Sequence, residues 1–319
     1  LYNHGESVMN RTPSADQLAQ RGLKLSHLRL LAALADTGQI SLAAERIGVA
    51  QPAASRLLAE VERIVGQPVH QRTGRGMTLT AVGQALATRA QRIQMELRDA
   101  ARDMAEVANG GSGHVRIGSV TGPAIDRVLP ALRNARLTAP QVTVEVIVAT
   151  SDILGAHLLE GRIDFAIGRL PDSISPDLLS FTPIAAEPVS LVVRKGHPLA
   201  SHPNPTATDL LAYDWVMPPP EALLSRAVLA RLRAHGMETP PQRISTASFL
   251  LTFALVQQSN AIAPLARAVV TSFSASPNAP YAELAIDLGI EVEPFGLMTR
   301  ADAILPPVAA RLAKEIQAM

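Results

Sequence analysis

Residues 41–83 read S-L-A-A-E-R-I-G-V-A-Q-P-A-A-S-R-L-L-A-E-V-E-R-I-V-G-Q-P-V-H-Q-R-T-G-R-G-M-T-L-T-A-V-G. Two short helical patterns flank a turn at Gly48, and a basic hairpin follows them. Ser41 is placed to cap a helix starting near Leu42. Ala43 and Ala44 are small, so a second helix can cross closely over them. Gly48 can end the first helix in a left-handed conformation at little cost. Pro52 suits the first turn of the next helix, where its missing N–H is not needed. Ala54, Leu57, Leu58 and Val61 recur at helical spacing as a buried stripe, which leaves Gln51, Ser55, Arg56 and Arg63 outside. Val69 reads as a strand position, Gly74-Arg75-Gly76 as a tight turn and Met77-Thr78-Leu79 as the returning strand. This is the layout of a winged helix-turn-helix, which places one helix in a DNA major groove.

The candidate DNA-binding set follows from that layout. Gln51, Pro52, Ala53, Ser55 and Arg56 stand at the N-terminal end of the second helix, the end that meets base edges and phosphates in such motifs. Ser41 joins them from the start of the first helix. A Gly-Arg-Gly turn alone is an ordinary solvated turn. Directly after a helix-turn-helix, Arg72 and Arg75 are placed for a phosphate backbone. Charge agrees. Residues 21–95 hold ten Lys and Arg against four acids, while the rest holds nineteen against twenty-four. A basic head on an acidic body suits a head that meets a polyphosphate.

These residues resemble the LysR-type family of bacterial transcriptional regulators. The small pair before the turn is Ala43-Ala44, and the Q-P-A-x-S entry to the second helix is Gln51-Pro52-Ala53-Ala54-Ser55. The acid and glycine at that helix's end are Glu62 and Gly66. The wing arginine is Arg72, and the T-x-x-G exit is Thr80-Ala81-Val82-Gly83. One position departs: His70 stands where the family usually has an aromatic residue, and a neutral, half-buried ring is expected there.

The chain has 319 residues, 47% hydrophobic and 18% charged, which suits a globular protein of two to three domains. Cysteine is absent, so disulfides, thiolate catalysis and thiolate zinc sites are excluded. No apolar run reaches the length of a membrane span. Residues 1–22 are polar and lack the apolar core of a signal peptide, so they read as a disordered lead on a cytoplasmic protein.

After the head (23–80), residues 81–110 read as one long linker helix. Leu86, Ala90, Ile93, Leu97, Ala101, Met104 and Ala108 form a heptad-like seam. Pairing with a second copy would bury it, so Leu86, Ala90, Ile93, Leu97 and Met104 are candidate dimerisation residues. Asn109-Gly110-Gly111-Ser112-Gly113 is a hinge by composition.

Residues 111–319 alternate strand and helix patterns, which implies a mainly parallel sheet. The pieces fit two α/β subdomains, 114–184 plus 293–319 and 185–292, joined by crossings near 181–188 and 288–296. Return of the C-terminus to the first subdomain is implied by the resemblance. The expected fold is thus α plus α/β: winged helix-turn-helix, linker helix and a two-subdomain, periplasmic-binding-protein-like effector domain.

In open α/β sheets ligands bind beyond the carboxyl ends of strands. Those ends carry Ser119, Thr121, Thr150, Ser151, Arg169, Pro218, Thr246 and Ser248. Each hydroxyl taken alone reads as a helix cap. As a set facing one cleft, and with the resemblance implying an effector there, they form a candidate effector site. Hydroxyls and an arginine suit a sugar, a sugar acid or an aromatic acid. The L-x-x-G-x-x-D motif at Leu158, Gly161 and Asp164 reads as structural. Ser259-Asn260-Ala261 replaces the family's glycine-rich turn, which argues against Asn260 as a ligand contact.

No phosphate-binding loop, nucleophile elbow or zinc-protease helix motif occurs, and no cofactor is expected. The resemblance implies a dimer on palindromic operator DNA, association into a homotetramer, RNA polymerase as a further partner and no membrane. The alternative is a periplasmic-type small-molecule binding protein with the same two-lobed fold, which would not need residues 41–83.

Overall fold

The computed structural model describes residues 14–73, 76–108, 113–240, 242–301 and 303–319. The chain divides into two compact units, 1–102 and 103–319.

The first unit opens with helix α1, Ala15–Gln20, inside the stretch expected to be a disordered lead. One local contact and one long-range contact order it. Ser14 and Gln17 form a reciprocal capping box, and the Arg21 guanidinium donates to the Ile64 carbonyl at 3.2 Å. Helices α2 (Leu25–Thr37), α3 (Ile40–Ile47) and α4 (Gln51–Val65) follow. Leu30, Leu31 and Leu34 of α2 pack with Ala43 and Ala44 of α3 and with Ala54, Leu58 and Val61 of α4. The alanine pair is buried, as a close crossing requires. Gly48 closes α3 at φ +74°, a left-handed conformation that a side chain would strain. Strands β1 (His70–Thr73) and β2 (Gly76–Leu79) pair antiparallel as the wing. The long helix α5, Ala81–Ala108, leaves from there. At its first turn a Cβ on Gly83 would stand 1.9 Å from the Val69 carbonyl oxygen. That carbonyl also accepts the Thr80 N–H, so it cannot yield.

In the second unit, β3 (His114–Ser119) leads into α6 (Thr121–Pro123). A π turn over Ala124–Val128 joins α6 to α7 (Leu129–Thr138). Then come β4 (Thr143–Val148), α8 (Ser151–Leu159), β5 (Phe165–Gly168) and the long β6 (Leu179–Arg194). The other subdomain holds α9 (Ala207–Leu210), β7 (Trp215–Met217), α10 (Leu223–Ala234), β8 (Gln242–Ser245) and α11 (Phe249–Gln258). It continues through β9 (Ala263–Ala266), α12 (Arg267–Ser274) and β10 (Tyr281–Glu283). Strand β11 (Glu291–Arg300) and helix α13 (Pro307–Ala318) end the chain.

The main sheet has the order β10-β6-β11-β5-β3-β4, with β9 also beside β6. It is mixed, where a mainly parallel sheet was expected. Strand β3 runs parallel to β4 and β5, but β11 pairs antiparallel with both β5 and β6. The cause lies in the crossings. Residues 181–188 and 291–296 belong to two long strands that hydrogen-bond to each other, from Leu179 opposite Arg300 to Pro188 opposite Glu291. One core gathers Val115, Ile117, Phe165 and Phe295 with Leu312 and Ile316 of α13, so the C-terminus returns to the first subdomain. The other gathers Leu191, Trp215, Val228 and Ile290.

Candidate functional site

The first turn of α4 presents an open polar face. Gln51, Pro52, Ser55 and Arg56 are exposed, and Ala53 is half-buried. The N-cap is Ala50, whose side chain bonds nothing, so the first-turn N–H groups have no side-chain cap. Ser41 is exposed but is not the cap of α3. That helix starts at Ile40, two residues before the expected Leu42, with Gln39 at its N-cap. The C-terminal half of α4 is fixed. Buried His27 of α2 accepts the Lys24 N–H at Nδ1, at 3.1 Å, and its Nε2 lies 3.1 Å from Glu60 Oε2. With Nδ1 as acceptor, Nε2 is the donor. That bond holds the Glu60 carboxyl below its usual range. Glu62, near the end of α4, accepts the Val69 N–H at 3.0 Å, and His70 Nδ1 lies 2.9 Å from the same oxygen. His70 is half-buried, as expected. The backbone of Arg72 lies in β1, and Arg75 falls outside the described residues.

The strand-end residues of the second unit behave differently. Ser119 is buried and donates to the Val120 carbonyl. Ser151 accepts the Arg169 N–H at 3.0 Å. Thr246 accepts the Ser248 N–H, and Ser248 caps α11 by accepting the Leu251 N–H. The Pro218 carbonyl accepts the Ser225 hydroxyl. Thr121 is half-buried at the start of α6, and Thr150 is exposed at the N-cap of α8 with no side-chain cap bond. Arg169 is 7% exposed. Its Nε donates to the Glu293 carbonyl and its Nη2 to Glu187 Oε2, both at 2.6 Å. It therefore ties the end of β5 to both crossing strands. Asp164 likewise grips Arg116 through backbone and side chain, so the L-x-x-G-x-x-D motif is structural. Asn260 is held by two bonds from Arg194. His197 accepts the Leu199 N–H at Nδ1, and burial lowers its pKa.

A cavity of about 440 Å³ opens between the subdomains. Gly122, Pro123 and Asp126 line one side, Glu187 and Phe295 the crossing strands, and Arg267 and Thr271 the far side. None of the eight residues predicted from sequence lines it. Arg169 reaches it only through Glu187. Glu187 sits in a strand pattern with no cap or motif around it, so no local signal marks it.

Two family models match. "Bacterial regulatory helix-turn-helix protein, lysR family" covers residues 25–84, and "LysR substrate binding domain" covers 108–319. The chain belongs to the LysR family. A relative from Rhizobium radiobacter, "HTH-type transcriptional regulator GbpR", is 46% identical over 81% of this chain and 86% of its own length. A protein of the same name from Azospirillum brasilense is 34% identical over 90% of this chain and 84% of its own. Among solved structures, full-length CbnR in complex with target DNA shares 23% identity at TM-score 0.59, covering 93% of this chain and 99% of its own. Full-length OxyR from Pseudomonas aeruginosa shares 22% at TM-score 0.62, covering 92% and 94%. At those identities the likeness shows the fold.

In this LysR family member the α5 seam divides. Ala90 is buried against Leu28 and Ala32 of its own head, and Leu86 packs there too. Helix α2 thus covers Ala90 fully and Leu86 in part. Ile93, Leu97 and Met104 remain 39%, 49% and 74% exposed. Among the described residues no helix is long and apolar enough to cross a membrane, and no His/Asp/Glu cluster could hold a metal.

Proposed function

We propose that this protein is a cytoplasmic, effector-responsive transcriptional regulator, not an enzyme, that reads a palindromic operator as a dimer. The observation that carries the reading is the first turn of α4. It has polar side chains facing outward and no side-chain cap, and the C-terminal half of the helix is fixed to α2 and the wing. Gln51 and Ser55 are placed for base edges and Arg56 for phosphate. Arg72 and Arg75 extend the contact along the wing, with Ser41 at the edge of the surface. Ile93, Leu97 and Met104 supply the apolar strip by which two α5 helices pair. Further pairing gives a tetramer, and RNA polymerase is the partner through which such an assembly acts. A small molecule between the subdomains of the second unit shifts the assembly between states.

The test is footprinting on the promoter beside the protein's own gene. Gln51→Ala and Arg56→Ala should each weaken specific binding by about 2 kcal/mol. Unchanged affinity and sequence preference in both variants would overturn the reading.

A further inference from the structure

The cavity between the subdomains has a wall whose charges are already matched. Asp126 pairs with Arg127 at 2.9 Å, and Glu187 with Arg169 at 2.6 Å. Arg267 donates to Ser190 Oγ at 3.1 Å and lies 3.3 Å from Asp287. An ionic ligand entering here would lose its water and meet no counter-charge among these groups.

Hydrogen-bonding capacity does remain. Glu187 gives Oε2 to Arg169, and its Oε1 occupies the space a Cβ on Gly122 would take. That oxygen is an acceptor held in place by a buried guanidinium. Across the cavity, Thr271 and Ser272 of α12 line the space and bring hydroxyl groups, which can both donate and accept. Pro123, Ile125, Pro188 and Phe295 supply apolar surface between them. A ligand matched to this wall donates and accepts from the same groups and carries C–H faces between them. Hydroxyls on a compact carbon skeleton do both. The volume lies within the range of small-molecule sites.

We propose that this cavity binds a small, neutral, polyhydroxylated molecule, and that Glu187, positioned by Arg169, selects it over acids by accepting a ligand hydroxyl. The inference rests on reading the second unit as the effector domain, and it places the contact at Glu187, not at the strand-end hydroxyls. A carboxylate ligand would face the Glu187 carboxylate, and the Arg169 charge that could offset it is already taken.

The full chain is tested by calorimetric melting against the common aldopentoses and aldohexoses, the matching aldonic and uronic acids, and benzoate. A neutral sugar should raise the melting temperature and the acids should not. Glu187→Gln replaces a charge-assisted acceptor with an amide and should weaken sugar binding about tenfold. Thr271→Trp, at the exposed rim, should fill the cavity and abolish the shift even if Glu187→Gln fails to fold. Binding of an acid in place of a sugar, binding of none of these compounds, or unchanged sugar affinity in a folded variant of either kind overturns the inference. Operator binding is scored on the same preparations. Its presence leaves the regulator reading standing whichever way the ligand arm falls, and its absence from the parent brings down that reading instead.

Discussion

At the start of α4, Gln51, Ser55 and Arg56 face outward from a turn without a side-chain cap. At the strand ends of the second unit, Ser119, Ser151, Thr246 and Ser248 each hold a hydrogen bond inside the fold. Both regions are polar segments at helix starts. What separates them is whether the backbone has already claimed the side chain. An open polar face at a helix N-terminus can meet an external acceptor such as phosphate. A claimed hydroxyl satisfies a backbone group that would otherwise be left unmade, and its loss is felt as stability. The same contrast divides α5, where Ala90 is covered by its own head and Ile93, Leu97 and Met104 are not.

The sharpest break of this contrast is at α5. Ile93→Asp together with Leu97→Asp puts charge on the exposed strip without touching the head's core. If that strip joins two heads, operator affinity should fall by about 100-fold, because the second half-site contact is no longer intramolecular. Sedimentation should show a lower assembly state alongside the loss. Unchanged affinity and unchanged mass would mean that the strip faces solvent in the working protein.

A smaller effect is expected at a claimed hydroxyl. Ser248→Ala removes the cap of α11 and should cost about 1 kcal/mol of stability in the second unit. Effector response, followed by operator binding with and without inducer, should persist. A lost response with unchanged stability would return Ser248 to the ligand site.

Much of the head was legible because its signals are local. Gly48, the Ala43-Ala44 crossing, the Ala54, Leu58 and Val61 stripe and the paired wing strands all follow from spacing within 43 residues of sequence. His27 was not legible, since its partner Glu60 is 33 positions away and neither belongs to a motif. In the second unit the alternation of strand and helix patterns was legible, and it is kept as far as helices α11 and α13 at Phe249–Gln258 and Pro307–Ala318. The strand direction was missed because β6 and β11 pair across more than a hundred residues, which no local pattern records. Arg169 reads as a ligand group from its position at a strand end. Its two partners, Glu293 and Glu187, come from strands that only the fold brings together.

The smallest expected effect tests whether the C-terminal half of α4 is held as firmly as its first turn is open. The hydrogen bond from His27 holds the Glu60 carboxyl below its ordinary value of 4.5. A carboxyl depressed on folding contributes stability that is present above its unfolded value and is lost as pH falls through the folded one. The window is therefore acidic, below about pH 4.5, and neutral pH lies outside it. Glu60 is 43% exposed, so solvent screens the pair and the effect is modest. In Glu60→Gln the group no longer titrates. Protection factors of the α4 amides in the full chain, corrected for the intrinsic exchange rate at each pH, should fall on acidification in the parent and less so in the variant, while first-turn amides near Gln51 respond alike in both. An equal fall in protection of the α4 amides in the two proteins would show that the His27–Glu60 contact does not anchor α4, and the contrast between its two ends would then rest on the apolar stripe alone.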